Sequence, residues 1–196
     1  GIARGGGTDG GNPGLTHHIV GGREGERQRG GALVGLEHLE DVLVSLVHIA
    51  SVDAFQAWIY TDPAGADRDA RDAKWLELRQ EFESGVDWTG LERERVGRWY
   101  RQLHIFELPF YYIEYGLAQL GALQVLRRAV ADAADAVAAY KRFLALGGTR
   151  PLPELYAAAG VTLVFDAETM AELVAFVEER IAALRAGADR SEEHTS

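Results

Sequence analysis

The chain has 196 residues, 47% hydrophobic and 26% charged, with a formal net charge of −10 and no cysteine. That acidic balance argues against nucleic acid as a main partner, because phosphate backbones are bound by surplus Lys and Arg. The missing cysteines exclude disulfides and thiolate metal ligands.

No segment approaches the roughly 18 uninterrupted apolar residues of a membrane span, and no charged-then-apolar signal peptide is visible. The expectation is a cytoplasmic protein with no membrane contact, although the chain has no starting Met and an upstream segment could have carried a signal.

Residues 1–35 hold 13 of the 23 glycines and show no helical or strand period. Such a composition buries too little apolar surface to offset backbone ordering. The head is expected to be disordered, or to be a GC-rich coding region translated in the wrong frame. The tail "RSEEHTS", residues 190–196, has one possible codon series that matches a common sequencing adapter, so it is expected to be an artefact without chemistry at His194. Between them, residues 36–189 carry the whole negative charge and form the expected folded part.

In chain order, apolar residues at 36, 39, 42, 43, 46, 47, 50, 54, 55, 58 and 59 repeat at the 3,4 spacing of a buried helix. "TDPAGAD" at 61–67 ends it. A more polar helix follows, with Trp75, Leu78 and Phe82 on one face, until "SGVDWTG" at 84–90. "LERERVGRWYRQLHIF" reads as a fourth segment with a charged outer face.

Pro109 suits a first helical turn, and a helix is expected from there to about Arg128. Asp132 or Asp135 caps the next, Gly147-Gly148 stop it, and a short proline-opened helix ends at Gly160. Asp166 caps a last helix striped by Met170, Leu173, Val174, Val177, Ile181 and Leu184. "VTLVF" at 161–165 reads as a connector. The fold class is all-α, with antiparallel packing where loops are short.

Three separated stretches carry a family resemblance: "DAFQAWIYT" at 53–61, "LHIFELPFYYIEYGLAQLGALQ" at 103–124, and "LALGGTRPLPELYAAAG" at 144–160. Over residues 36–187, in this order, the chain resembles the oligoendopeptidase F branch of the thimet oligopeptidase-type zinc metallopeptidases. The resemblance implies the C-terminal helical part of a zincin-like catalytic domain that hydrolyses short peptides in a deep channel. Zinc there is held by H-E-x-x-H and a later glutamate, and Tyr and His side chains steady the oxyanion.

H-E-x-x-H occurs nowhere in the chain, and the histidines are 17, 18, 38, 48, 104 and 194. His38 and His48, ten residues apart, do not share a helix face. Catalytic zinc needs three protein ligands and an open position. The chain alone is therefore expected to bind no zinc and to be inactive, with the metal helices in a missing N-terminal part of the same enzyme. Ala57 stands where the family pattern suggests His, which removes a side-chain role there.

By the same resemblance, Tyr112 and Tyr115 are the oxyanion-stabilising pair and His104 the substrate-contacting histidine. Tyr111 also faces substrate, and replaces Tyr112 if the register shifts by one. Tyr112 and Tyr115, at i,i+3, share a face, as do Tyr111 and Tyr115 at i,i+4. Without a family, aromatic residues at helical spacing are simply core. Phe106, Phe110 and Leu117 are expected to be core, Trp58, Trp75, Trp88 and Trp99 packing anchors, and Glu114 solvated. The alternative is a stand-alone helical module that binds a peptide or partner protein without catalysis.

Overall fold

The computed structural model describes residues 13–83 and 85–193, with side chains from residue 31 to 187 apart from 32 and 84. The side chains of His17 and His18, all of His194 and the glycines before Pro13 therefore lie outside what is described. Eight α-helices follow in order: α1 (Pro13–Thr61), α2 (Arg68–Phe82), α3 (Glu92–Gly97), α4 (His104–Glu107), α5 (Ile113–Ala131), α6 (Ala133–Leu146), α7 (Leu152–Ala158) and α8 (Ala167–Glu193). Two 3-10 turns, Pro63–Ala66 and Arg98–Arg101, complete the set, and there is no strand among the described residues. The expected all-α class holds.

Two compact units divide the chain, residues 39–179 and the pair of segments before 39 and after 179. In the smaller unit α1 passes α8 at Gly35, close enough that a Cβ there would meet Leu184 at 3.6 Å. Helix α1 begins at Pro13, well before the apolar stripe that the sequence displays.

In the larger unit, Asp132 and Asp166 cap as the sequence predicts, and Asp67 is a further cap. Asp67 accepts from Ala70 N–H at 2.8 Å to open α2, Asp132 from Asp135 N–H at 3.0 Å to open α6, and Asp166 from Thr169 N–H at 2.7 Å to open α8. Gly147 and Gly160, both at positive φ, stop α6 and α7. The centre of the core is Phe55 on α1, fully buried among the rings of Trp75 at 5.4 Å and Trp99 at 5.3 Å. Trp75 Nε1–H finds the Arg95 carbonyl and Trp99 Nε1–H finds Asp72, so both indoles are buried without stranding a donor. On α5, Gly116 lets Ile49 of α1 approach within 3.2 Å of where a Cβ would stand, and Gly121 does the same for Tyr156 of α7 at 2.9 Å.

Three sequence expectations are corrected. The fourth segment is not one helix but α3, a 3-10 turn and the single turn α4. The tyrosine-rich helix starts at Ile113, not at Pro109. Pro109 supplies no N–H, and Phe110 sits at φ 62°, a left-handed conformation that breaks a right-handed helix. Phe106 and Phe110 are also not core, being 52% and 48% exposed. A one-turn helix and a turn cannot bury both faces. Phe106 instead stacks on Trp99 at 5.7 Å, and Phe110 leans on Tyr60 at 5.6 Å.

Candidate functional site

The chain reversal through Pro109 and Phe110 brings α4 back against the first turn of α5. A single helical turn leaves most of its carbonyls without main-chain partners. Two side chains of α1 tie it down: the Tyr60 hydroxyl donates to the Ile105 carbonyl at 2.7 Å, and Gln56 Nε2 donates at 3.2 Å to the His104 carbonyl, which also accepts from the Leu108 N–H at 3.2 Å. Helix α1 thereby fixes the position of His104, although the His104 ring makes its contacts elsewhere.

All four residues singled out by the sequence meet. The His104 ring lies 4.9 Å from Tyr112, 5.8 Å from Tyr115 and 6.1 Å from Tyr111, stacked parallel to the last. Tyr115 stands edge-on to Tyr111 at 5.7 Å and to Tyr112 at 5.4 Å. Tyr111 and Tyr115 are exposed and Tyr112 is half-buried.

Burial pushes the Tyr112 phenol above its ordinary value, against a weaker opposing hydrogen bond from Gln102. Tyr111 is also raised, first by the neighbouring Tyr115 and then by the Glu114 carboxylate. Both therefore hold their protons at neutral pH.

Tyr112 and Tyr115 form one wall of an open groove of about 790 Å³. Residues of α1 from Leu43 to Ile49 also line it, as do Arg79, Glu83 and Arg98. His104 and Tyr111 touch these tyrosines but are not part of the groove lining.

The sequence reading missed the polar floor beneath them. His48, set aside because it shares no face with His38, lies 5.9 Å from the Tyr112 ring, edge-on. Its Nε2 faces Gln102 Oε1 at 3.4 Å, and Gln102 Nε2 faces His104 Nδ1 at 3.0 Å. On the other side His48 Nδ1 faces Arg79 Nη1 at 3.3 Å.

Arg79 is buried. It pairs with Glu83 at 2.5 Å, and Arg98 reaches the same carboxylate at 3.1 Å. Burial, opposed by the Gln102 bond and aided by Arg79 and Arg98, holds His48 below the ordinary imidazole value. One signal could have revealed this floor. Arg79 and Glu83 continue the i,i+4 series from Trp75, so a charge pair sits inside an apolar stripe.

No group of three or more His, Asp or Glu side chains that could hold a metal ion exists among the described residues. The described residues do not fit a catalytic zinc, which needs three protein ligands. What the cluster does offer is hydrogen-bond donors on a rigid aromatic frame: three phenols and an imidazole.

The sequence profile of Peptidase family M3 matches residues 28–174. A solved structure of PZ peptidase A with inhibitor 2 is 31% identical, with a TM-score of 0.70 over 76% of this chain and 26% of that one. An X-ray structure described as an oligoendopeptidase F is 33% identical, with a TM-score of 0.65 over 78% of this chain and 27% of that one. No curated protein sequence matches. The chain thus spans about a quarter of the length of the solved structures it resembles. With a family profile over most of its length and helices that superpose on two such structures, the chain belongs to Peptidase family M3.

Proposed function

We propose that this chain supplies the substrate- and oxyanion-facing wall of a zinc-dependent oligoendopeptidase that hydrolyses short peptides. The observation that carries this reading is the convergence of Tyr111, Tyr112 and Tyr115 within about 6 Å of the His104 ring, in a chain of a peptidase family. A peptide lying in the groove would meet Tyr112 and Tyr115 first. Their phenols can donate hydrogen bonds to a carbonyl oxygen as it gains negative charge, and neither has to lose a proton to do so. His104 and Tyr111 would hold those rings in place and reach the parts of the peptide that pass beyond the groove edge.

The zinc ligands would come from sequence outside these residues, and the chain alone would be inactive and free of catalytic zinc. Its partners would then be short peptides and the metal-bearing part of the same enzyme, with no nucleic acid or membrane partner and a cytoplasmic setting. Tyr115→Phe in the full-length protein tests the reading. It should lower kcat by about 100-fold, the usual cost of one lost oxyanion donor, with little change in KM. An unchanged kcat would remove Tyr115 from the chemistry.

A further inference from the structure

The polar floor has a direction, set by the one member that can only donate. Arg79 Nη1 carries two protons and no acceptor. It donates to Ser51 Oγ at 2.9 Å, and Ser51 in turn donates to the His48 carbonyl at 2.8 Å. The remaining Nη1 proton faces His48 Nδ1 at 3.3 Å, so that nitrogen must accept. A neutral imidazole that accepts at Nδ1 carries its proton on Nε2.

His48 Nε2 faces Gln102 Oε1 at 3.4 Å, where the amide presents its accepting atom. An amide that accepts with its oxygen on one side offers N–H on the other. Gln102 Nε2 lies 3.0 Å from His104 Nδ1, which must therefore accept. Each link leaves one arrangement for the next. The order also settles which way the Gln102 amide points, since the reversed amide would set N–H against N–H at His48.

We propose that Gln102 is a positioning residue: set by Arg79 through His48, it holds His104 in the Nε2–H tautomer, so that His104 meets a peptide as a hydrogen-bond donor and not as a base. This rests on the reading of His104 as substrate-facing. It gives His104 the same polarity as the phenols around it, and it assigns Arg79, which is buried away from the His104 ring, a role in that polarity. It also excludes His104 from proton abstraction, because the nitrogen with the free lone pair is turned inward to Gln102.

The test is a long-range ¹H–¹⁵N correlation spectrum of the ¹⁵N-labelled 196-residue chain at mildly alkaline pH, where imidazoles are neutral. His104→Gln assigns the signals, and the same chain in urea gives the unconstrained tautomer ratio. The folded chain should show His104 protonated at Nε2 well beyond that ratio. Gln102→Leu should relax it to the urea ratio. Gln102→Glu, a carboxylate that only accepts, should move the proton to Nδ1.

A folded-state ratio equal to that in urea, or a proton on Nδ1, overturns the proposal. So does a tautomer that ignores both substitutions. If neither variant folds, the comparison of the parent chain with its urea spectrum still decides. The spectrum is read without substrate, so its failure leaves the Tyr115→Phe test standing. A failed Tyr115→Phe test likewise leaves the tautomer result intact.

Discussion

At the scale of single residues, the buried charges link the site to stability. His48 is held below 6.5, chiefly by burial, with the Gln102 bond and Glu83 opposing and Arg79 and Arg98 assisting. An unfolded chain therefore takes up that proton first. The contribution of neutral His48 is complete above pH 6.5 and drains away as pH falls through its folded value. For Glu83, burial alone would raise the carboxyl, but the Arg79 bond and charge and the Arg98 charge outweigh it and hold it below 4.5. A depressed carboxyl stabilises above its unfolded value and loses that contribution on further acidification.

The urea midpoint should accordingly fall in two stages as pH drops, the first setting in near 6.5 and the second below 4.5. His48→Gln should flatten the first stage and leave the second. The tyrosines and His104 were legible in the sequence because they crowd a short stretch and match a family pattern. His48, Gln102 and Arg79 were not, since they are 31 and 23 positions apart and only folding makes them neighbours.

At the scale of elements, α5 is the structural pivot, with its first turn in the site and its middle packed against α1 and α7. Gly121 is where the fit is tightest. An added Cβ would fall 2.9 Å from Tyr156 Cε1, and Tyr156 is tethered by its hydroxyl donating to the Leu117 carbonyl at 3.0 Å. Gly121→Ala gains helix propensity of roughly 0.5–1 kcal/mol. The ring must then shift and strain its hydrogen bond, costing about 1–3 kcal/mol in overpacking. A net loss of about 1–2 kcal/mol by urea unfolding is the expected outcome, and an unchanged midpoint would mean that α7 yields freely.

Helix existence, caps and stops were readable from Asp, Pro and Gly at their proper offsets. The break between Glu107 and Ile113 was not. Pro109 is compatible with either a helix start or a turn, and nothing local announces that Phe110 adopts a positive φ.

At the scale of the whole molecule, surface chemistry decides how the chain behaves in solution. Part of α1, Leu33–Thr61, is long and apolar enough by composition to cross a membrane; Leu39, Val42, Ile49, Val52 and Phe55 along it are buried in the protein, while Leu33, Val34, Val44 and Val47 are exposed. Elsewhere Val130, Val137, Tyr140, Leu144 and Leu152 lie exposed, and Tyr140 also lines an apolar recess of about 340 Å³ with Val125, Phe143 and Tyr156.

Such surface favours association, while a net charge of −10 opposes it over a distance that salt shortens. Residues 36–189 alone should therefore dimerise or aggregate in light scattering, increasingly so as ionic strength rises. A monomer at all salt concentrations would contradict this. The aromatic core has a further, optical consequence. All four tryptophans, at 58, 75, 88 and 99, precede α4, and none lies in α5 to α8. Emission excited selectively from tryptophan therefore watches only the first half of the chain, while far-ultraviolet dichroism watches every helix. Together they can follow the two halves of one molecule without any label.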